Sequence, residues 1–429
     1  KTSSKPREAA LSHGGIYLEG TETTVRGYSD TEVAFTQESN FLYLSGVNRP
    51  DCLFLLDIAT ETSFLFVPHY DDFYATWVGE IPTLAELKEL YGVNEALYNE
   101  DLPLTLEVLS QSDPENYPIY TLPGLQTDRI PSNYSTEDET LLPILWEQRD
   151  VKNAFEIDLL KTAASVSADA HVDNMKKMKS GLYEYSLASN FFAYIGYCSF
   201  THVAYETIAG AGSNSAILHY TAATAEILQD QLFLIDAGGQ YRGYTTDITR
   251  TYPSGGKYSS DQTELYNMVY AVQTECIESL KPGVDFTDTM ALASKLICEQ
   301  LIQNDFVLAN VTVCLEERLF ALFMPHGLGH LVGLDVHDTS VYPTTPLQPG
   351  NVLTIEPGIY FNQVLLTPAI EVGDPRFPYM NSQKISDYLL MQIGGVRIED
   401  VVLIVDEGYE VLSDAAPTLL TDIETTMAT

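Results

Sequence analysis

The stretch from Phe233 to Thr251 reads FLIDAGGQYRGYTTDITRT. Two apolar, β-rich runs flank Gly238-Gly239, which predicts a hairpin with a loose turn at the glycines. Each run carries one aspartate, Asp236 and Asp247. Alternation along a strand puts Leu234 and Asp236 on one face, and Asp247 and Thr249 on one face of the second strand. A buried carboxylate needs a partner, because an isolated buried charge is very costly. Two of them on adjacent strands place two anions close together, an arrangement that favours a cation between them. The plainer reading makes both aspartates exposed turn residues, and further residues must decide between the two.

Those residues come later. The loop Pro325-His326-Gly327-Leu328-Gly329-His330 is followed by Leu334-Asp335-Val336-His337-Asp338. Then come VLTIEPGIY from Val352 and GGVRIED from Gly394, each with a glutamate, Glu356 and Glu399, inside an apolar run. A strand interior disfavours glutamate unless it is paired or bound to a metal. His326 and His330 lie four apart, as on a zinc-binding helix, but Gly327 and Gly329 oppose a helix and the acidic second residue is missing, so a loop is expected.

Asp236, Asp247, His330, Glu356 and Glu399, in this order and spacing, resemble the five metal ligands of the pita-bread metallopeptidases, which include methionine aminopeptidase, aminopeptidase P and prolidase. The phrases SNSAILHY, DAGGQYRGYTTDITR, HGLGHLVGLDVHD, TIEPGIYF and GGVRIEDVV most resemble prolidase, and FTQESNFLYLSGV and FVPHYDDFYATWVGEI resemble its amino-terminal domain. The resemblance implies an α+β protein. Its carboxy-terminal pita-bread (creatinase/aminopeptidase) domain, 141–429, follows a smaller amino-terminal α/β domain, 1–140, with a mixed sheet. It also implies an Xaa-Pro dipeptidase that works through a hydroxide bridging two divalent metals, with Asp247 and Glu399 holding both ions, Asp236 one, and His330 with Glu356 the other. Oxygen-rich ligands with one imidazole suit Mn²⁺ first, with Co²⁺ or Zn²⁺ as alternatives. His219, His326 and His337 are expected to line the substrate pocket and to stabilise the tetrahedral intermediate or move protons. Arg397 and Thr249 each lie two residues from a ligand and are expected to support it. His202 lies near the same region without a firm role; His13, His69 and His171 read as structural or exposed.

A bond to proline is a tertiary amide without an N–H, so a peptidase that holds its substrate as an extended strand loses a hydrogen bond there. A metal pair gripping the free amino end and the scissile carbonyl does not need it. The sequence departs from the mammalian-type prolidases in one place. They carry a long loop whose arginine binds the dipeptide carboxylate, whereas the corresponding stretch here, Thr339 to Gln348, is short and has no arginine. Either Arg376 replaces that anchor or the enzyme takes longer Xaa-Pro peptides, as aminopeptidase P does. A metal-free peptide- or histone-binding module and a creatinase-like enzyme use the same fold, but the intact ligand set argues against both.

The 429 residues are enough for two domains with their own cores. A net charge of −38 disfavours nucleic acid and anionic membranes as partners. No apolar run reaches the length of a membrane span. Five scattered cysteines do not make a disulfide framework. The chain starts at Lys1, so its beginning reads as a processing or truncation boundary, with the cytoplasm as the default compartment and secretion or a vacuole left open. Asn133-Tyr134-Ser135 and Asn310-Val311-Thr312 match the glycosylation pattern. A homodimer is implied by the resemblance. Helices are expected at Leu84–Tyr91, from Asn153 toward Gly181, at about 183–197, from Ser260 toward Pro282, and at about 287–303. A strand is expected at Ser63–Pro68 and a linker at Pro131–Glu139.

Overall fold

The structure, a computed structural model, describes residues 11–125, 127–339, 342–343 and 345–429. Contacts divide the chain into two units, Lys1–Gln148 and Arg149–Thr429.

In the first unit six strands form one sheet: β1 Gly15–Glu19, β2 Leu53–Asp57, β3 Thr62–Val67, β4 Glu95–Tyr98, β5 Ile119–Tyr120 and β6 Thr136–Glu137, ordered β4-β3-β2-β1-β5-β6. The β1–β2 and β2–β3 pairs are antiparallel and the others parallel, giving the expected mixed sheet. Alternate residues enter two separate cores. Leu18, Phe54, Leu65 and Val67 pack on one face with Leu87 of the helix Leu84–Tyr91. Tyr17, Leu53, Leu55 and Phe66 pack on the other with Leu102 and Leu106 of the helix Leu102–Leu109. A sheet covered on both faces explains why these strands are almost continuously apolar. The polar stretch expected as a linker instead supplies β6, whose backbone pairs with β5 at the sheet's edge. An edge strand faces water, so its polar composition is no obstacle.

The second unit contains β7 His202–Val203, β8 Ile208–Ala211, β9 Leu232–Asp236, β10 Gly239–Tyr241, β11 Tyr244–Thr245, β12 Thr249–Pro253, β13 Val352–Ile355, β14 Gly358–Tyr360, β15 Gly395–Arg397, β16 Asp400–Val405 and β17 Gly408–Val411. They form four small sheets, ordered β11-β10-β7, β12-β9-β8, β13-β16-β17 and β14-β15. Every pairing is antiparallel. Helices Ala154–Lys177, Glu184–Tyr197, Ser260–Glu278 and Phe286–Gln303 lie close to their expected places, within a core that runs from Ala163 to Ile423. The first of these begins as its sequence requires. The Asn153 side chain accepts from the Phe155 and Glu156 N–H groups, and the Glu156 carboxylate accepts from the Asn153 N–H. Together the sheets and helices make the expected α+β fold.

Two local expectations are corrected. β9 and β12 pair from Leu232↔Pro253 to Asp236↔Thr249, but the chain does not turn at Gly238-Gly239. It continues through β10, reverses at Arg242-Gly243, where φ is +52° and +92°, and returns through β11. The glycines serve close approach instead, since a Cβ on Gly238 would lie 1.7 Å from the Thr246 carbonyl oxygen. The glutamates are also not inside strands. Glu356 falls between β13 and β14, Glu399 between β15 and β16, and Asp247 between β11 and β12, while Asp236 ends β9. Each acid thus stands where a strand leaves one ladder for another, which lets its side chain depart from the alternating faces of the sheet.

Candidate metal centre

Asp236, Asp247, His330, Glu356 and Glu399 line one cavity of about 230 Å³, together with His219, His326, His337 and Arg397. All the residues singled out for metal binding or catalysis therefore meet in one place. His202 is not among the lining residues; it sits on β7 beside Thr201. His13 and His69 are exposed and His171 is fully buried.

Gly329 fixes the approach of His330, because a Cβ there would meet the Thr354 carbonyl oxygen at 1.9 Å. The His330 N–H donates to Thr354 Oγ1 at 3.0 Å. Its ring Nδ1 lies 3.1 Å from the Leu331 carbonyl oxygen, which can only accept. Nδ1 therefore carries a proton, and Nε2 faces Asp247 at 3.3 Å and Glu356 at 3.6 Å. This is the tautomer a metal ligand needs. Ligand atoms of Asp247, His330 and Glu399 all lie within 4.8 Å of one another, and Glu399 Oε1 is buried without a hydrogen-bond partner. An orphaned buried carboxylate oxygen beside two further ligand atoms fits a divalent cation.

The electrostatics agree. Burial opposes a charge on His330, but its hydrogen bond to Asp247 and the nearby Glu356 carboxylate push its pKa up to about 9. Burial and the Asp247 charge push Asp236 up to about 7, and the same two causes raise Glu399 well above the carboxylate range. Burial raises Glu356 as well. Burial would also raise Asp247, but the hydrogen bond and charge of His330, together with hydrogen bonds from Tyr205 and Asp236, outweigh it and keep that group low. The Tyr205 hydroxyl lies between Asp236 Oδ1 and Asp247 Oδ1 and hydrogen-bonds to both. So many carboxylates crowded with a protonated histidine form a site that exchanges protons for metal.

Arg397 and Thr249 each hydrogen-bond to a candidate ligand that is not the one two residues away on their own stretch. Arg397 Nη2 donates to Asp236 Oδ2 at 2.6 Å, and Thr249 Oγ1 donates to Glu399 Oε2 at 2.6 Å. For Thr249 the reason is register. Thr249 pairs across with Asp236 and bridges to Glu399, and such neighbours lie closer than residues two apart on one strand. Arg397 Nη1 donates to the Tyr360 hydroxyl at 2.9 Å, which lies 2.8 Å from His326 Nε2. His326 Nδ1 faces the Gly327 carbonyl at 2.7 Å and so holds the ring proton, leaving Nε2 to accept from Tyr360. Burial and the Arg397 charge push the His326 pKa down to about 4. Tyr205, Tyr360 and Thr354 were not anticipated. Tyr360 follows Glu356 by four residues within a quoted motif, whereas nothing local marks Tyr205.

Arg376 does not line the cavity. Its Nε and Nη2 fork onto Asp374 at 2.8 and 2.7 Å. The loop expected to differ, Thr339 to Gln348, lies partly outside the described residues, at Ser340, Val341 and Thr344.

Comparison with known proteins leads to the same chemistry. Residues 158–406 match the metallopeptidase family M24 profile, and residues 7–117 match that of the aminopeptidase P N-terminal domain. The chain is 35% identical to the human Xaa-Pro dipeptidase over 445 residues, covering 96% of this chain and 88% of that one. It is 32% identical to a probable Xaa-Pro aminopeptidase of Sordaria macrospora, covering 94% and 89%. Among solved structures, aminopeptidase P from E. coli with the inhibitor Pro-Leu superposes with a TM-score of 0.85 at 27% identity, covering 97% of this chain and 94% of that one. An M24 match across more than half the chain, with relatives of that identity along nearly its whole length, has one consequence: this protein belongs to metallopeptidase family M24.

Proposed function

We propose that this metal-dependent hydrolase of Xaa-Pro bonds acts on dipeptides, releasing proline from Xaa-Pro. The observation that carries the reading is the meeting of four carboxylates, His330, three further histidines and Arg397 in one cavity. Two divalent ions held by Asp236, Asp247, His330, Glu356 and Glu399 would polarise the scissile carbonyl and lower the pKa of water. The oxygen-rich donor set favours Mn²⁺, with Co²⁺ or Zn²⁺ as alternatives.

The chain's own groups do the rest. Arg397 orients Asp236 and, through Tyr360, the His326 ring. His326 stays neutral near pH 7, so it serves as a fixed hydrogen-bonding group and not as a proton source. The departing proline nitrogen needs a proton, because it takes the electron pair of the broken C–N bond and would otherwise leave as an anion. His337 is exposed in the cavity, and partial burial and neighbouring His330 push its pKa down. It and His219 are placed to stabilise the oxyanion or carry that proton.

Arg376 favours a second reading. An arginine already forked onto Asp374 does not supply a carboxylate anchor from within the cavity, which suits longer peptides. The test is metal stripping, reloading with Mn²⁺, and comparison of an Xaa-Pro dipeptide with an Xaa-Pro-Yaa tripeptide. Faster dipeptide cleavage supports the first reading and faster tripeptide cleavage the second; neither cut with two metals bound would sink both.

A homodimer is supported by the exposed apolar run Phe73, Trp77 and Val78. A monomeric mass by light scattering would end that reading. Compartment is approached through cysteine. Cys298 and Cys314 form a disulfide between the helices Phe286–Gln303 and Val311–Glu316, and Asn133 and Asn310 are both exposed. Disulfides persist in oxidising compartments, so secretion or a vacuole is favoured over the cytoplasm. Alkylation before reduction would show two blocked cysteines here, and five reactive ones would restore the cytoplasmic reading.

A further inference from the structure

Three charged side chains of the catalytic unit lie almost wholly buried beside one another. Arg149, Lys152 and Asp338 expose 3%, 1% and 1% of their side chains. Arg149 Nη2 reaches Asp338 Oδ1 at 2.5 Å and Asp335 Oδ2 at 2.8 Å, and Lys152 Nζ reaches Asp338 Oδ2 at 2.9 Å. Between the two cations, Asp150 Oδ1 accepts from Thr339 Oγ1 at 2.5 Å. Three of four consecutive residues, Arg149, Asp150 and Lys152, thus grip Asp335, Asp338 and Thr339. The gripping segment is itself anchored, since the Lys152 N–H donates to the Gly350 carbonyl and Asn351 Nδ2 to the Asp150 carbonyl, both at 2.9 Å.

Buried ion pairs are poor stabilisers, because desolvation offsets most of their attraction. They do fix geometry. The residue enclosed by these contacts is His337, whose ring centre stands 4.3 Å from that of His330 and lines the cavity. Among the described residues, the His337 ring has no hydrogen-bond partner, so no side-chain contact of that kind orients it. Its place is set by the backbone, and the backbone is held on both sides of it. Asp335 and Asp338 are gripped by Arg149, and the Asp338 N–H donates to the Leu331 carbonyl at 3.0 Å. Gly333 fits the same arrangement, since a Cβ there would meet Asp338 Oδ2 at 2.3 Å.

We propose that Arg149, Asp150 and Lys152 are positioning residues for His337, acting through Asp338 and Thr339, so that the start of the catalytic unit sets the aim of one substrate-facing imidazole. The inference rests on the reading of His337 as a group that meets the substrate. A misplacement of about 1 Å costs on the order of a hundredfold in rate.

The test is a double-mutant cycle on the Mn²⁺-loaded full chain with an Xaa-Pro substrate, using Lys152→Met, His337→Asn and the pair. Metal content and thermal midpoint are measured on each. Lys152→Met is expected to lower kcat by about tenfold to a hundredfold, with KM and metal content nearly unchanged, and to cost little more once His337 is already Asn. Lys152→Arg should restore most of kcat. Effects that multiply in the double variant, or an unchanged kcat in Lys152→Met, would overturn the proposal. An unchanged kcat in His337→Asn alone would overturn the underlying reading of His337 and the proposal with it. If Lys152→Met does not fold, Thr339→Val removes only the bond to Asp150 and enters the same cycle with the same expectations at smaller size.

Discussion

Arg397, 4% exposed, directs three nitrogens at three partners: Nε to Thr249, Nη1 to Tyr360 and Nη2 to Asp236. A lysine has no planar fork and cannot repeat this. Burial opposes its charge, but the surrounding Tyr360, Asp236 and Glu399 raise its pKa well above the ordinary value, so it is a fixed cation at every working pH. Arg397→Met leaves Asp236 without its counter-charge. We expect loss of about 3–5 kcal/mol of stability by urea titration and reduced metal occupancy by elemental analysis. Full stability and two bound metals in that variant would show that Arg397 is dispensable to the site.

The helix Ala154–Lys177 carries the bend after Asp236. His171 Nε2 donates to the Ala237 carbonyl at 3.0 Å, and Ser167 Oγ accepts from the Gly239 N–H at 3.0 Å. Complete burial holds the His171 pKa down to about 3. Between that value and 6.5 the unfolded chain takes up a proton that the folded chain refuses, so stability falls as pH drops through 6.5 and keeps falling to about 3. At pH 5 this residue alone should lower stability by about 2 kcal/mol relative to pH 7.5. His171→Gln, which keeps a donor and does not titrate, should flatten the difference in urea midpoint between the two pH values. The helix start is open to a separate test. Asn153→Ala removes the cap and should cost about 1 kcal/mol, or about 2–4 °C in the melting of a unit this size. An unchanged midpoint would mean that packing alone holds the first turn.

For the whole molecule, 60 acidic against 22 basic residues give a net charge of −38. Asp236, Asp247 and Glu399 in the cavity are buried, but most charge is at the surface, where it repels itself and is screened by salt. The melting temperature of the metal-loaded protein should therefore rise between low salt and about 0.5 M NaCl, with the Debye length shrinking several-fold. A fall would mean that surface ion pairs outweigh the net repulsion. Chelation should act separately. Metals at about a hundred times their Kd stabilise by about 2.7 kcal/mol per site, so a chelator should lower the melting of the catalytic unit and leave that of the amino-terminal unit in place.

The sequence by itself determined the pieces that local physics governs. Asn153 and Glu156 announced a helix start, the apolar runs announced strands, and five candidate metal-ligating side chains stood at spacings found in one family. The first two signals are short-range, written in neighbours a few residues apart, and the third is an order of side chains along the chain from Asp236 to Glu399. Tertiary structure alone decided what depends on register and crossing. The Phe233–Thr251 hairpin turns at Arg242-Gly243, because the glycines expected to turn are needed where two backbones touch. Thr249 serves Glu399 because the two bridge across strands, and Arg397 reaches Asp236 from 161 residues away. Tyr205 reaches Asp236 and Asp247 from 31 and 42 residues away, and Arg149 reaches Asp338 across 189. Contacts at such separations exist only once the chain has closed on itself, and no window of sequence contains them.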